Sequence, residues 1–548
     1  MSLTQRSTPP PPPQAALPPL HPGLALAGAL ACVALVGSGL LQEPGWLLAT
    51  PGGEVWGHAW VQWWHGAALP AWPGGTDLAL GTAAWPVIDP LPTLLAAALG
   101  RVLGVVEAWN ALLLLAVAGA FLGGARLARR EGGEPVVGGL ALALAPCFLG
   151  CLASGLSEDG AVGLAAVGLG LVGRPRWRDG LLAGLCLGLL ASCGLVLAWQ
   201  AAVVAVGLGL GGMVRDRRAI GPTLVGGLLA ALLAAPVALS QGLRLAGQGH
   251  RAGQVGAQVE ALWRLNPWRG VDLLSLVAPL PQAPGAALVR IHPGYLGLGL
   301  LGLALLGALL GAGLGARRAG AGRWWLVLLG AVLVAPGPDL AFAGHPLGLR
   351  DPFAQALTWL PGGGLVNHHG RLLLVGAIAL SVLAARGARV LRERWGPRVV
   401  GLATALVLAD LVLLAPGGGP LPLADPAPLG VVAGLGALSP GKLLVVPAGG
   451  PGVHFQRPLL DQRVHGRPLL LDPKHPGLPP ALDATPTGRW LGGLALDRPS
   501  PPPAPFSLPG VAVLVVREPW VATVQAVLGP PDVQAVDSAA WDLDRPAG

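Results

Sequence analysis

The chain has 548 residues, of which 53% are hydrophobic and only 11% are charged. A soluble domain carries about 25% charged residues, so this composition excludes an ordinary water-soluble enzyme, a disordered protein and a secreted disulfide scaffold. A polytopic α-helical membrane protein is the class that remains.

The basic residues are distributed in a pattern typical of membrane proteins. The chain has 35 Lys and Arg against 27 Asp and Glu, a formal net charge of +8. The arginines fall in short clusters between apolar runs, as the positive-inside rule describes, and not along one basic surface that would bind nucleic acid. The sequence therefore predicts no nucleic-acid partner.

Apolar runs define a predicted membrane region. Residues 1–20 are rich in proline and are predicted to be a disordered tail. The run 21–48 lacks a clear cleavage site and is predicted to be an uncleaved first span. Later spans are predicted at roughly 106–128, 136–154, 160–173, 180–196, 197–213, 220–242, 294–315, 324–340, 371–388 and 399–416. The predicted fold class is an all-α polytopic membrane protein with about eleven transmembrane helices in residues 21–416.

The arginine clusters predict the orientation of the chain. With this number of spans every cluster falls on one side of the membrane, which the positive-inside rule makes cytoplasmic. The clusters are Arg126/Arg129/Arg130, Arg174/Arg176/Arg178, Arg215/Arg217/Arg218, Arg317/Arg318/Arg323 and Arg386/Arg389/Arg392/Arg394/Arg398. The N-terminus is then cytoplasmic, and loops 49–105, 242–293 and 340–370 lie outside together with residues 417–548.

The C-terminal region 417–548 differs from the membrane region. Two short strand-like runs, Leu443–Pro447 and Val511–Val516, are separated by proline-rich stretches. About 130 residues are enough to build a small core. We therefore predict a small α/β accessory domain outside the membrane.

The first outer loop contains the densest group of polar and aromatic residues. On a helix, the polar residues of GGEVWGHAWVQWWH form one stripe at positions i, i+4, i+8 and i+11. They are Glu54, His58, Gln62 and His65. Four tryptophans, Trp56, Trp60, Trp63 and Trp64, cover the other side. Because tryptophan prefers the membrane interface, the pattern predicts a helix lying on the outer surface.

Three interpretations of this stripe remain open. It is an interfacial anchor whose polar side faces water, a divalent-metal site formed by Glu54, His58 and His65, or a catalytic carboxylate supported by a histidine. A glutamate beside tryptophan rings near lipid has a raised pKa, which suits a general base. The third interpretation makes Glu54 the catalytic base and gives His58 the supporting role.

Several segments resemble the GT-C class of integral-membrane glycosyltransferases of bacteria. Those proteins carry an acidic residue in the first outer loop just after the first span, where this chain has Glu54; the relatives more often have Asp there. The similar segments are GGEVWGHAW, Glu107–Arg130, SGLSEDG at Ser154–Gly160, HPGYLGLG at His292–Gly299, Gly370–Ala388 and QRVHGRPL at Gln462–Leu469. The resemblance implies a polyprenyl-phosphate-linked sugar donor, inverting transfer of a hexose and a location in the cytoplasmic (inner) membrane.

The resemblance also suggests which residues contact substrate. Glu158 and Asp159 either supply the acidic residue that the class often has in its second outer loop, or stabilise the N-terminus of the following helix electrostatically. Arg371 opens a late span just after His368 and His369. It would either face the anionic leaving phosphate or anchor the helix at the membrane interface. The acceptor would be a glycan, lipid or protein of the cell envelope. No metal ligands are assigned, although a divalent metal is compatible with this chemistry.

Two other functions remain open. A transporter or lipid flippase would place charged residues or broken polar helices at the bilayer midplane, whereas these spans are almost free of charge at mid-depth. A non-catalytic envelope assembly protein would have no polar pocket behind the tryptophan-rich helix.

Overall fold

The computed structural model describes residues 21–51, 53–68, 89–247, 270–279, 294–313, 321–357, 359–360, 368–415, 419–446, 457–465, 467, 469–470, 482, 484–494 and 501–544. The predicted tail 1–20 and parts of the three predicted outer loops lie outside these residues. Of the residues that the structure describes, 68% are helical.

The described part of the membrane region is mostly α-helical. Its α-helices are α1 Pro22–Val36, α2 Val55–Ala68, α3 Pro90–Leu103, α4 Val105–Arg130, α5 Pro135–Ala143, α6 Pro146–Ala153, α7 Val162–Leu169, α8 Trp177–Cys193, α9 Leu195–Arg215, α10 Ile220–Gly247, α11 Leu298–Gly313, α12 Ala321–Val334, α13 Pro352–Leu357, α14 Leu373–Trp395 and α15 Pro397–Ala409. Short strands β1 Leu47–Leu48, β2 Asp339–Phe342, β3 His345–Arg350 and β4 Leu423–Ala424 form two antiparallel pairs, β1 with β4 and β2 with β3.

Six helical segments within the described residues are long and apolar enough to cross a membrane. They are Val105–Arg130, Pro135–Ala153, Leu195–Arg215, Arg217–Leu239, His369–Trp395 and Pro397–Leu414. Together with shorter apolar helices they make this a multi-pass membrane protein. The predicted count of about eleven spans is not confirmed, because several apolar runs fold into short helices. Helix α7, for example, has 8 residues, about 12 Å of helix against a hydrocarbon core of about 30 Å.

Glycines allow helices in this bundle to pack closely. A Cβ placed on Gly163 of α7 would lie 2.1 Å from the carbonyl oxygen of Gly119 in α4, and one on Gly184 of α8 would lie 2.4 Å from that of Gly226 in α10. No side chain fits at these contacts, and small residues of this kind let transmembrane helices approach each other. The contact between α4 and α7 also fixes the turn that precedes α7.

Ion pairs join several arginine clusters at one end of the bundle. The Glu131 carboxylate accepts hydrogen bonds from Arg174 at 3.2 Å, from Arg323 at 2.5 Å and from the Trp324 indole at 3.0 Å. Arg130, of a third cluster, lies 3.6 Å from Asp179 in α8. These clusters therefore share one end of the bundle. That this end faces the cytoplasm stays a prediction.

The C-terminal region contains a four-stranded sheet with the strand order β5–β6–β8–β7. Its elements are β5 Leu443–Val446, α16 Arg457–His465, α17 Pro486–Leu494, β6 Val513–Arg517, α18 Val521–Leu528, β7 Val533–Gln534 and β8 Ser538–Asp542. The two predicted strand-like runs form β5 and β6, which pair in parallel, and the other pairs are antiparallel. A separate accessory domain outside the membrane stays a prediction.

This region covers the tryptophan side of α2, contrary to the expectation that these rings lie in the membrane interface. Trp56 and Trp60 are 2% and 0% exposed. The Trp60 indole donates a hydrogen bond to Gln462 Oε1 at 2.8 Å, and the Arg457 guanidinium lies 4.3 Å from the centre of the Trp56 ring. Helix α2 is therefore held between the membrane helices and the C-terminal region.

Candidate active site

Four segments meet at the polar side of α2. They are α2 itself, the chain just before α3, a 3₁₀ turn at Ser157–Asp159 between α6 and α7, and a second 3₁₀ turn at His369–Leu372 that opens α14. Two of them carry residues that the sequence predicts to contact substrate.

Local hydrogen bonds and one glycine hold the start of α2 against the chain that leads into the 3₁₀ turn Ser157–Asp159. The backbone N–H of Glu54 donates to the carbonyl of Ser154 at 2.7 Å. Gly155 has a φ of 83°, which favours glycine, and a Cβ there would lie 2.3 Å from the backbone nitrogen of Val55. The start of α2 therefore rests directly on the chain leading to Ser157.

The aromatic–Asn pair at the start of α4 fixes the chain that precedes α2. Asn110 accepts a hydrogen bond from the Leu48 N–H at 2.8 Å and donates one to the Trp46 carbonyl at 2.8 Å. The Trp109 indole donates to the Leu48 carbonyl at 3.1 Å, and its ring centre is 6.4 Å from that of His58. This pair therefore has a structural role next to the site.

Arg371 pairs with both acidic residues of the 3₁₀ turn Ser157–Asp159. Its Nη1 is 2.9 Å from Glu158 Oε1 and its Nε is 3.4 Å from Asp159 Oδ2. All three side chains are buried. The structure thus brings together three of the five predicted substrate-binding residues. The other two, His368 and His369, are buried beside Arg371 at the second turn.

His58 faces the same cluster from α2. Its Nε2 is 3.6 Å from Glu158 Oε2, and its Nδ1 is 3.1 Å from Ser157 Oγ and 4.0 Å from Asp89 Oδ2. The Ser157 hydroxyl also donates a short hydrogen bond to Asp89 Oδ2, and the Thr93 hydroxyl donates to Asp89 Oδ1 at 3.0 Å. We call His58, Asp89, Ser157, Glu158, Asp159 and Arg371 the polar cluster.

Burial and close charges shift the pKa values in the cluster. Burial raises the pKa of Asp89 to about 6, although His58 opposes the shift, and burial likewise raises the pKa of Asp159 to about 6. Burial would lower the pKa of His58, but Glu158, Asp89 and Glu54 together raise it. For Glu158, Arg371 and His58 outweigh burial and lower the pKa. Such perturbed values in one place are typical of functional sites.

Glu54, the predicted base, lies at the edge of the polar cluster. Its side chain is half-buried, and its carboxylate is near enough to His58 to help raise the pKa of that imidazole. The ring contacts of His58 given above are with Ser157, Glu158 and Asp89. They assign His58 to the buried cluster, whereas the sequence had predicted that His58 supports Glu54 directly.

Asp89 and Ser157 are the cluster residues that sequence reasoning did not select. Asp89 directly precedes Pro90, the first residue of α3. Ser157 was quoted only as part of SGLSEDG. A carboxylate just before a helix-opening proline, with a threonine four residues later, is the signal that could have identified Asp89.

Three cluster residues could hold a metal ion. His58, Asp89 and Glu158 each offer one ligand atom, and these atoms lie within 4.8 Å of one another. Imidazole nitrogen and carboxylate oxygen are ordinary ligands of divalent metals. Glu158 Oε2 is buried without a hydrogen-bond partner among the described residues, so it has capacity for a further ligand. This set shares only His58 with the set suggested by the sequence, since His65 Nδ1 lies 2.8 Å from the Val61 carbonyl of its own helix.

Comparisons with known proteins find similarity in structure only. No protein-family model and no curated protein sequence matches the chain. The structure is similar to arabinofuranosyltransferase AftD from Mycobacteria, with a TM-score of 0.45 and 20% identity over 91% of this chain and 35% of AftD. It is also similar to ArnT from Cupriavidus metallidurans bound to undecaprenyl phosphate, with a TM-score of 0.39 and 14% identity over 94% of this chain and 97% of ArnT.

Both similar structures are GT-C class membrane enzymes, the class that the sequence resembles. This chain spans about a third of the length of AftD. The similarity concerns the arrangement of the chain, and what AftD and ArnT act on is a property of those two proteins.

Proposed function

We propose that this protein is a membrane glycosyltransferase that moves a sugar from a polyprenyl-phosphate donor to an envelope acceptor at the outer face of the cytoplasmic membrane. The observation that supports this most directly is the buried polar cluster, in which acid, base and cation side chains meet beside membrane helices. A donor of this kind keeps its chain in the bilayer and its sugar and phosphate at the surface, so it needs a polar pocket in this position.

The leaving phosphate of such a donor is anionic and needs positive charge nearby. In the cluster, Arg371 and His58 stand against the carboxyl groups of Asp89, Glu158 and Asp159. A phosphate entering beside these carboxylates would be repelled unless further positive charge is supplied. A divalent cation held by His58, Asp89 and Glu158 would supply it and would stabilise the charge that develops on the leaving group.

Glu54 is the residue that we propose as the general base. The acceptor hydroxyl must lose a proton as it attacks C1 of the sugar, and a carboxylate within hydrogen-bond reach can take that proton. Glu54 is half-buried at the edge of the cluster, where an acceptor can approach it. Attack on C1 from the side opposite the phosphate inverts the configuration of the sugar.

Transfer of labelled sugar tests this proposal. The purified full chain in liposomes is given a panel of labelled polyprenyl-phosphate sugars and envelope acceptors. Glu54→Gln keeps the shape of the side chain and should lower transfer by about 10²–10⁴, with donor binding unchanged. Glu43→Gln is the matched control, because Glu43 is exposed in the chain between α1 and α2, and it should retain full transfer.

Three outcomes would contradict parts of the proposal. Full transfer by the Glu54→Gln variant would show that another carboxylate is the general base. Movement of the labelled lipid across the bilayer without any transfer would favour the transporter or flippase alternative, and neither activity with any donor would favour the assembly protein.

A further inference from the structure

A second polar feature lies on α2 one turn beyond His58. Gln62 is four residues further along the same stripe, about 6 Å along the helix axis. Its side chain is 3% exposed. Neither its amide nitrogen nor its amide oxygen has a hydrogen-bond partner among the described residues. Buried polar groups are nearly always paired, so this amide is placed to bind a group that none of the described residues supplies.

A cavity lies directly against this amide. It has a volume of about 190 Å³ and is lined by Gln62 and Trp63 of α2 and by Ala96, Gly100 and Arg101 of α3. Small residues on α3 leave this space open between the two helices. The volume is below the roughly 300–1,000 Å³ of sites for drug-sized ligands, so the cavity suits a single small polar unit.

The lining residues offer the contacts by which proteins bind a sugar ring. The Gln62 amide can donate to one hydroxyl and accept from its neighbour. The half-buried Trp63 presents an aromatic surface for the apolar face of the ring. Arg101 lies at the exposed rim of the cavity.

We propose that the cavity between α2 and α3 is a carbohydrate subsite that binds one sugar residue of a glycan acceptor. This inference rests on the proposed glycosyltransferase function and narrows the acceptor class from glycan, lipid or protein to glycan. A sugar residue held at Gln62 adjoins the polar cluster, because His58 and Gln62 lie one turn apart on the same side of α2. The subsite therefore positions the acceptor and takes no part in proton transfer.

Substitutions can separate this subsite from the transfer chemistry. Gln62→Met keeps the side-chain volume and removes both hydrogen-bonding atoms, and Ala96→Leu fills the cavity. Their matched controls are Gln42→Met at an exposed glutamine and Ala98→Leu on the exposed side of α3. Gln62→Met should unfold at no lower temperature than the wild type, because it removes a buried amide that lacks a partner.

The first measurement is direct binding. Saturation-transfer NMR with the full chain in nanodiscs and a panel of free hexoses and pentoses should give a signal that both test variants lose and both controls keep. A wild type without any such signal would overturn the subsite. Inorganic phosphate is tested in parallel by ³¹P line broadening, and broadening that depends on Arg101 without a sugar signal would assign the cavity to phosphate and overturn the proposal.

The second measurement is kinetic. With a glycan acceptor, Gln62→Met should raise the acceptor KM about tenfold, as expected for the loss of one hydrogen-bonding group, while kcat and the donor KM stay unchanged. An unchanged acceptor KM in an active enzyme would overturn the subsite alone. A wild type inactive with all donors would instead count against the proposed function, and the binding measurement would then decide the subsite independently.

Discussion

Replacing Arg371 by methionine should strongly destabilise the protein in a way that depends on pH. The substitution keeps a side chain of similar length but leaves Glu158 buried without the cation 2.9 Å away. Removing one partner of a buried ion pair costs about 3–5 kcal/mol. The carboxyl group can escape this cost by taking up a proton, which limits the loss of stability.

That limit can be worked out from the ordinary pKa of glutamate, 4.5. Holding Glu158 neutral at pH 7, about 2.5 pH units above that value, costs about 3.4 kcal/mol. At pH 5 the same step costs about 0.7 kcal/mol. A carboxyl group whose pKa is raised in the folded state loses stability as the pH rises above its unfolded value. The destabilisation by Arg371→Met should therefore grow by about 2.7 kcal/mol between pH 5 and pH 7.

The assay is the free energy of unfolding in detergent at both pH values, with EDTA present so that bound metal does not contribute. Arg389→Met is the matched control, because Arg389 pairs at 2.7 Å with the exposed Glu393, and such surface pairs contribute about 0–1 kcal/mol. Adding Glu158→Gln to Arg371→Met should recover most of the pH-dependent loss in the free energy of unfolding. A loss of stability that is equal at pH 5 and pH 7, or no larger than that of the control, would refute this reasoning.

Three further predictions concern the metal, the contact between α2 and the C-terminal region, and the topology. Chelation should abolish sugar transfer, and added Mg²⁺ or Mn²⁺ should restore it. The Asp89→Asn variant should need a metal concentration at least about tenfold higher than the wild type for half-maximal transfer. Transfer that survives thorough chelation would exclude the metal. Gln462→Ala should lower the free energy of unfolding by about 1–3 kcal/mol, because it leaves the buried Trp60 N–H unpaired, and denaturation that matches wild type would contradict this. A reporter that fluoresces only in the cytoplasm should stay dark when fused after residue 450 and fluoresce when fused after residue 130; the reverse pattern would invert the predicted topology.

The local composition of the chain determined much of its secondary structure. Apolar runs long enough for a span became helices such as α4 and α14, because a backbone in lipid must satisfy its hydrogen bonds within the segment. The β-rich runs near residues 443 and 513 became paired strands. Short apolar runs could not be assigned as membrane spans with the same ease. Length alone does not show whether an apolar helix crosses the bilayer or packs inside the bundle, as α7 illustrates.

The polar stripe on α2 could also be predicted from the spacing of its residues in the sequence, because residues four apart lie on one side of a helix. The sequence therefore identified His58 and Gln62 as neighbours on one side. The prediction that the tryptophans of α2 lie in the membrane interface was wrong for Trp56 and Trp60, which are buried. Composition does not distinguish an aromatic ring that meets the membrane interface from one covered by another part of the chain.

Only the tertiary structure decided which polar groups meet. Asp89 joins Ser157 across 68 positions of the chain, Arg371 joins Glu158 across 213, and Trp60 joins Gln462 across 402. Periodicity and composition describe neighbours within a few residues, whereas these contacts depend on how whole helices pack, which glycine contacts such as Gly163 against α4 determine. The sequence therefore specified helices, strands and the polar side of α2. The packing of those helices assembled the buried cluster, in which burial and close charges together shift the pKa values.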